Sequence, residues 1–164
     1  TNKINLPLVN HVEKLGYFCD QGSEDDVLSR YIESAQKYSA SIIVRITGDC
    51  PLVDYGLVDE AIQKFKLADV DYLSNNNPPT YPDGLDIEVF SFEALKKADN
   101  EATSLFDREH VTPYLREKNK FKSSVIKNFE DLSSLRWTVD EEIDFYVIDK
   151  IFNHFFPRID FTWE

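Results

Sequence analysis

Residues 41–54, which read SIIVRITGDCPLVD, limit the possible folds more than any other stretch of the chain. The apolar, β-branched run at 42–46 stops at a cluster of Gly, Asp and Pro, a pattern typical of a buried strand that ends in a tight loop. In an open α/β sheet, ligands bind beyond the carboxyl ends of the strands, so a carboxylate at this point faces the crevice. Asp49 is therefore the first candidate functional residue.

Gly48 and Pro51 shape this loop, and Arg45 is a candidate for binding an anionic ligand. Gly48 lets the backbone turn sharply and lets a ligand approach, while Pro51 fixes the chain direction away from the strand. Arg45, near the carboxyl end of the same strand, could reach phosphate or carboxylate oxygens with its planar fork. The alternative is that these residues only form a turn, which Asp49 caps.

Composition and charge narrow the class of protein. With 164 residues, 42% of them hydrophobic and 29% charged, the chain is predicted to be a single globular domain over residues 1–164. The net charge of −12 argues against a nucleic-acid partner, because binding a phosphate backbone requires a basic face. No apolar run approaches a membrane span, and the first residues lack the layout of a secretory signal, so we expect a cytoplasmic protein without a membrane partner.

Apolar periodicity predicts alternating helices and strands. Helices are expected within residues 1–15, at 24–38 with Ser23 as its N-cap, around 58–65, from 92 onward and at 141–155; strands are expected at 17–19, 42–46, 70–73, 87–90, 122–126 and 135–139. Two consecutive strand–helix alternations indicate a parallel sheet with right-handed crossovers. Residues 74–86 form the longest stretch without periodicity, and a loop of that length in a compact domain is usually functional or mobile.

A second aspartate repeats the arrangement of Asp49. Asp140 follows the predicted strand 135–139 and opens the last predicted helix, where acidic residues are also expected simply from capping and the helix dipole. Together, Asp49 and Asp140 could converge on one octahedral cation, which typically accepts one or two carboxylates plus substrate phosphates. Arg136, within the same predicted strand, is a second candidate for contacting phosphate oxygens.

The segment DREHVTPY at 107–114 carries a third group of candidates. Arg108, Glu109 and His110 form a charged cluster beside apolar anchors, a combination that often lines a site. The alternative is a salt-bridged helix start near Pro113.

Five blocks of the sequence resemble a known family. They are GSEDDVLSRY at 22–31, VRITGDCPLVD at 44–54, YPDGLDIEVFS at 81–91, DREHVTPYL at 107–115 and RWTVDEEIDF at 136–145. In this order they are similar to the SpsF-like cytidylyltransferases of spore-coat and surface polysaccharide biosynthesis. The resemblance covers nearly the whole chain.

The resemblance implies a GT-A-like nucleotidyltransferase fold, an α/β architecture with a mostly parallel sheet and flanking helices. It also implies transfer of CMP from CTP to a sugar acid of the 3-deoxy-ulosonic type, with release of pyrophosphate. Mg²⁺ would be held by the matched aspartates, Asp49 and Asp140. The acceptor pocket implied by the resemblance contains Ser74, Asn75, Tyr81, Asp86 and Glu88, with Arg108, Glu109 and His110 along the same pocket.

One departure from the family pattern qualifies this expectation. The family begins with a strand and a G-S-x-R-L-P-G-K-type loop that holds the triphosphate, and neither is found in the sequence. We therefore expect the N-terminal strands of the sheet to be missing, and either a homodimer that covers the exposed edge or a fold of low stability. Two further hypotheses are a GT-A-like glycosyltransferase that uses the same aspartates, and a non-catalytic remnant that binds a sugar acid or a partner chain.

Overall fold

The computed structural model describes residues 5–117 and 119–164, which form two compact units. The first unit contains the described residues up to Ser41 together with Phe92–Glu117, and the second contains Ile42–Ser91 and the described residues after 118. Each unit is described below by itself, and the single domain predicted from chain length stays a prediction.

The elements alternate along the chain much as the periodicity predicts. In chain order they are α1 (Leu6–Lys14), α2 (Val27–Lys37), β1 (Ile42–Arg45), α3 (Tyr55–Leu67), β2 (Tyr72–Ser74), β3 (Glu88–Ser91), α4 (Phe92–Glu101), α5 (Leu105–His110), a 3₁₀ helix (Tyr114–Arg116), β4 (Ser123–Val125) and α6 (Glu142–Phe155). The first residues of the predicted N-terminal helix, 1–4, lie outside the described residues.

The second unit is built on a four-stranded mixed sheet with the order β1-β3-β2-β4. β3 pairs antiparallel with both β1 and β2, whereas β2 and β4 pair parallel. The predicted mostly parallel arrangement is therefore confirmed for β1, β2 and β4, which run in the same direction. It is wrong for β3, which runs the opposite way between β1 and β2. The chain passes from β2 to β3 through a loop without a crossover helix, a connection that favours an antiparallel return.

The core of this unit lies between α3 and the central strands. α3 contributes Leu57, Ala61 and Phe65, and the sheet and its loops contribute buried apolar side chains at Leu73, Tyr81, Leu85, Ile87, Val89 and Ile126. Asp54 caps α3 by accepting a hydrogen bond from the backbone N–H of Leu57 at 2.8 Å. β1, predicted to be buried, is only half-buried because it is an edge strand of the sheet within the described residues.

The first unit is helical among its described residues. The apolar face of α2, formed by Leu28, Ile32 and Ala35, is buried and packs toward α4 and α5. The N-cap of α2 is Asp26, whose carboxylate accepts from the N–H of Ser29 at 3.0 Å, and not the predicted Ser23. Ser23 Oγ instead accepts from the N–H of Asp26, so it ends the preceding turn and the helix begins three residues later than predicted.

Two predicted strands are wrong. Residues 17–19 pair with no other described strand. The side chains of Tyr17 and Phe18 are largely exposed, so they do not form part of a buried sheet face. Residues 135–139 form no strand either and make a single parallel bridge, between Arg136 and Asp83. Their backbone hydrogen bonds go to the loop before β3 rather than to the sheet: Asp83 donates to Leu135 O, and Trp137 donates to Asp83 O.

Gly84 allows this loop to lie against the 135–139 segment. Its φ is +106°, and a Cβ built on it would lie 2.5 Å from the carbonyl carbon of Trp137 and from the nitrogen of Thr138. Only glycine satisfies both the backbone conformation and the space. This contact fixes the loop that precedes β3 onto the segment that leads to α6.

α6 leaves several apolar side chains exposed. Of its described side chains only Ile148 is buried, while Ile143, Phe145 and Tyr146 are each more than half exposed. The homodimer predicted from the sequence stays a prediction. None of the helices in the described part of the chain is both long and apolar enough to cross a membrane.

We predict that Gly84→Ala lowers the free energy of unfolding by about 3 kcal/mol, because it combines unfavourable backbone strain with a backbone clash. The matched control is Gly16→Ala: Gly16 also has a positive φ, +86°, but a Cβ there meets nothing within 4 Å. The control should lose only about 1 kcal/mol, the strain alone. Urea denaturation followed by circular dichroism measures both variants, and equal losses would contradict the close approach.

Candidate functional site

The Asp49 loop and the segment before α6 meet through the backbone of Asp49. The carbonyl oxygen of Asp49 accepts hydrogen bonds from the N–H of Val139 at 2.8 Å and from Thr138 Oγ1 at 3.1 Å. Asp140 is the next residue after Val139, so the two candidate metal ligands lie on backbone segments that are directly bonded to each other. The structure thus brings together the two backbone segments that carry these aspartates, which are far apart in the sequence.

The side-chain carboxylate of Asp49 is half-buried and held ionised. Burial raises its pKa, but hydrogen bonds from Thr47, the Asp49 backbone, Cys50 and Thr138 outweigh burial and bring the pKa below its ordinary value. The Cys50 Sγ to Asp49 Oδ1 distance is 3.6 Å, a weak bond that a cation can replace. Asp49 is therefore a negatively charged carboxylate at neutral pH.

Cys50 is buried between two carboxylates. Burial raises the pKa of its thiol to about 11, the charges of Asp49 and Asp86 add to the effect, and hydrogen bonds from Thr47 and from the Asp86 backbone oppose it. Because the thiolate is the reactive form, a thiol with this pKa is not a nucleophile at neutral pH. The same contacts place Asp86 next to the Asp49 loop.

Gly48 is not required by the backbone of this loop. Its φ is not positive, and a Cβ at this position would meet nothing within 4 Å. The open space beside the residue is compatible with the close approach of a ligand, while its predicted role in phosphate binding stays a prediction.

Arg136 is surrounded by three carboxylates. Its guanidinium lies 2.6 Å from Asp140, 3.0 Å from Asp144 and 3.2 Å from Asp83, and the hydrogen bonds to Asp144 and Asp140 raise its pKa. Asp144 also accepts hydrogen bonds from the N–H groups of Asp140 and Glu141, so it fixes the start of α6 at Glu142, two residues after Asp140. Arg136 is therefore placed beside the candidate ligand Asp140, in an ion-paired cluster.

The other arginine predicted to bind phosphate, Arg45, is ion-paired across the sheet. It faces Glu88 in the β1–β3 register, and its Nη1 donates to the Glu88 carboxylate. Tyr72 donates its hydroxyl to the other oxygen of Glu88, which is only 1% exposed. Glu88, predicted to bind sugar hydroxyls, thus lies in a buried network with Arg45 and Tyr72.

Two residues of the predicted acceptor pocket, Ser74 and Asn75, are buried at the end of β2 and directly after it. Ser74 is buried in β2, where its carbonyl oxygen accepts from the N–H of Ile126. Asn75 is buried with both ends of its amide bonded to backbone: Nδ2 donates to Leu85 O at 2.7 Å, and Oδ1 accepts from the N–H of Ile87 at 2.8 Å. Asn75 therefore closes the loop, much as a backbone segment would.

Asn76 was not among the residues predicted from the sequence. Its Nδ2 donates to Asp86 Oδ2 at 2.9 Å, which ties it to the half-buried carboxylate beside Cys50. The run of three asparagines at 75–77 marks a loop, but composition alone does not tell which amide serves the scaffold and which one contacts a candidate site residue.

Tyr81 packs in the core of its unit, with only its edge toward a cleft. Its ring meets Trp163 edge-on at a centroid distance of 5.6 Å, and burial together with the charge of Glu60 raises its pKa. The N–H of Trp163 donates to the carboxylate of the α3 N-cap, Asp54, at 3.1 Å. The C-terminal segment is thus held against the start of α3 next to Tyr81.

The remaining candidates, Arg108, Glu109 and His110, belong to the first unit. Arg108 pairs with Asp26 through Nε at 2.9 Å and Nη2 at 2.7 Å, and with Asp99 at 2.8 Å, and these hydrogen bonds raise its pKa. Glu109 and His110 are exposed, and the His110 ring contacts Phe106. The geometry of Arg108 matches the salt-bridged helix that the sequence left open, and its predicted contact with a sugar acid stays a prediction.

The described residues contain no group of three or more His, Cys, Asp or Glu side chains arranged to hold a metal ion. A two-carboxylate site is a different case, because Mg²⁺ usually keeps several waters and binds one or two carboxylates plus substrate phosphates. Asp49, half-buried and ionised, and Asp140, exposed on the adjoining backbone segment, are donors of the type that such a site uses.

Comparisons with known proteins agree on one family. Residues 8–152 match the family model described as cytidylyltransferase. The chain is 38% identical over 151 residues to an uncharacterized protein of Methanocaldococcus jannaschii, covering 90% of this chain and 61% of that protein. It is 33% identical over 110 residues to the spore coat polysaccharide biosynthesis protein SpsF of Bacillus subtilis, covering 63% of this chain and 46% of SpsF. The chain therefore spans about half to three fifths of the length of these relatives.

A solved structure shows the same fold. It is a cytidylyltransferase from Leptospira borgpetersenii, with a TM-score of 0.93 and 31% identity, and the match covers 98% of this chain and 68% of that one.

We predict that Arg108→Ala lowers the free energy of unfolding by about 2 kcal/mol, because it leaves the part-buried carboxylates of Asp26 and Asp99 without their shared partner. The control in the same unit is Lys37→Ala, which removes an exposed ion pair with Asp20 and should change the stability much less. Urea denaturation measures both variants. An unchanged stability of Arg108→Ala would contradict a structural role for the arginine.

We also predict a specific acid limb for stability. Hydrogen bonds from Arg136 and from the N–H groups of Glu141 and Asp140 lower the pKa of Asp144 from 3.8 to about 2. A carboxyl group with a depressed pKa contributes its full stability above the unfolded value of 3.8, and that contribution is lost as the pH falls through about 2. The urea midpoints of wild type and Asp144→Asn should therefore differ at pH 7 and converge below pH 3.8; a constant difference would contradict this pKa.

Proposed function

Because the chain belongs to the cytidylyltransferase family, a family of nucleotidyltransferases, we propose that it transfers CMP from CTP to a sugar acid of the 3-deoxy-ulosonic type. In this reaction an oxygen of the sugar hydroxyl bonds to the α-phosphorus of CTP. The bond from that phosphorus to the bridging oxygen of the β-phosphate breaks, the hydroxyl loses its proton, and pyrophosphate leaves.

The observation that carries the proposal is the pairing of the Asp49 loop with the segment that ends in Asp140. The carbonyl oxygen of Asp49 accepts from the N–H of Val139, the residue before Asp140, so the backbone segments that carry the two carboxylates are adjacent, and there is open space next to Gly48 for the close approach of a phosphate group. Asp49 and Asp140 would hold Mg²⁺, which when bound neutralises charge on the triphosphate.

The two arginines have different roles in this proposal. Arg136, which pairs with Asp140 through an exposed contact, is close enough to the candidate ligand to move its guanidinium to a phosphate oxygen when Asp140 binds a cation. Arg45 contributes more indirectly, since its ion pair with the almost fully buried Glu88 holds the carboxyl end of β1 from which the Asp49 loop departs.

The acceptor side of the proposal rests on Asp86. Its half-buried carboxylate lies beside Cys50 and therefore close to the Asp49 loop, where it can accept a hydrogen bond from a sugar hydroxyl. Ser74, Asn75, Tyr81 and Glu88 shape the surrounding scaffold, while Arg108, Glu109 and His110 remain proposed contacts for the sugar acid. The name of the Bacillus subtilis relative supports a polysaccharide precursor as the product class.

We predict that Asp49→Ala weakens Mg²⁺-dependent CTP binding at least tenfold, because a charge-bearing ligand of the cation is lost. The alanine variant keeps the two hydrogen bonds to the Asp49 carbonyl oxygen, and the carboxylate that it removes is only half-buried, so the free energy of unfolding should change by less than about 1 kcal/mol. Calorimetric titration of CTP with and without Mg²⁺ measures the binding. Asp59→Ala, an exposed carboxylate on α3, is the matched control and should bind like wild type.

Two outcomes would count against this assignment. Loss of folding in Asp49→Ala would support the alternative that the residue only caps a turn. CTP binding without release of pyrophosphate in the presence of a sugar acid would count against nucleotidyl transfer, and sugar transfer from a nucleotide-sugar would favour the glycosyltransferase hypothesis instead.

A further inference from the structure

Two adjacent asparagines after β2 make very different use of their amides. Asn75 is 2% exposed, and both its donor and its acceptor are bonded to the backbone of the returning chain, at Leu85 and Ile87. This is the pattern of a scaffold residue, since every buried polar atom has a partner.

Asn76 has a different pattern. Its Nδ2 donates to Asp86 Oδ2 at 2.9 Å, but its Oδ1 is buried and has no hydrogen-bond partner among the described residues. A buried acceptor without a partner destabilises a fold, because its hydrogen bonds to water are not replaced. The fold therefore does not account for an amide at position 76, and the bond to Asp86 remains as its positive contribution.

Asp86 connects that bond to the candidate site. Its backbone hydrogen-bonds the Cys50 thiol, and its charge acts on the same group as the charge of Asp49. A change in the orientation of the Asp86 carboxylate therefore occurs within the immediate neighbourhood of the Asp49 loop.

We propose that Asn76 is a positioning residue for the sugar-acid acceptor, which orients the Asp86 carboxylate toward a hydroxyl of that substrate. The inference rests on the proposed function. An amide suits this role because it donates one hydrogen bond without bringing a positive charge.

The test compares Asn76→Ala with the adjacent matched variant Asn75→Ala. Steady-state kinetics with Mg²⁺ and CTP are measured with two probes, a 3-deoxy-octulosonic acid and a 3-deoxy-nonulosonic acid, and stability is measured by urea denaturation. Asn76→Ala should raise the KM for the acid about tenfold while the KM for CTP and the urea midpoint stay near the wild-type values. Asn75→Ala should instead lower the urea midpoint, because two buried backbone groups lose their partners.

A double-mutant cycle with Asp86→Ala separates positioning from a structural role. If Asn76 acts through Asp86, adding Asn76→Ala to Asp86→Ala should raise the KM for the acid no further. Independent, multiplicative effects of the two substitutions would overturn the inference, as would an unchanged KM in Asn76→Ala or a fall in its urea midpoint as large as that of Asn75→Ala.

Calorimetry of Mg²⁺ and CTP with the wild-type chain distinguishes failure of this inference from failure of the proposed function. Absence of Mg²⁺-dependent CTP binding overturns the proposed function and the inference with it. Binding of CTP with turnover of neither acid overturns the acceptor class, and with it the role of Asn76, while the nucleotide part of the proposed function stands. Turnover with no effect of Asn76→Ala overturns the inference alone.

Discussion

The arrangement of the second unit depends on the contact between the backbone at Gly84 and the backbone at Trp137 and Thr138. The loop before β3 and the segment before α6 exchange hydrogen bonds at Asp83. They approach each other so closely at the next residue, Gly84, that no residue with a Cβ atom fits there. Thr138 and Val139 in turn bond the carbonyl of Asp49. Main-chain contacts thus join three segments that are distant in sequence. Asp49, Asp86 and Asp140 lie on these neighbouring segments.

Charge balance explains why the candidate chemistry consists of carboxylates. The chain has 30 acidic residues and 18 Lys and Arg residues, so acidic groups greatly outnumber the cations available to pair with them. Each of the three arginines predicted to contact ligands is ion-paired: Arg45 with Glu88, Arg108 with Asp26 and Asp99, and Arg136 with three aspartates. Any of these three arginines would have to exchange an existing partner to contact an anionic substrate, and the exposed cluster around Arg136 is better suited to such exchange than the buried pair of Arg45.

The local elements were largely predictable, whereas their pairing was not. The β-branched run of β1 and the helical spacing of α2, α3 and α6 are properties of neighbouring residues, and the structure confirms them. The antiparallel insertion of β3 depends on how the loop after β2 returns, and the apolar run at 135–139 was taken for a strand because burial against a loop and burial in a sheet favour the same residue types.

The candidate site shows the same division. The position of Asp49 after β1 followed from the strand pattern, and its proximity to the segment that carries Asp140 is what two strand ends at one edge of a sheet predict, although only one of these ends belongs to a strand. The distinct roles of Asn75 and Asn76 depend on which amide faces the returning chain, and this follows from tertiary contacts that no local pattern in the sequence contains.

The distribution of tryptophan gives the chain a built-in optical reporter. Both of its tryptophans, Trp137 and Trp163, pack against the core of the second unit, and the first unit contains none. Tryptophan emission consequently follows the unit that carries Asp49, while far-ultraviolet ellipticity is dominated by helices from both units, so the two signals distinguish concerted from stepwise unfolding. Trp137 also adjoins the bond between Thr138 and Asp49, which makes its emission sensitive to local changes beside the carboxylates.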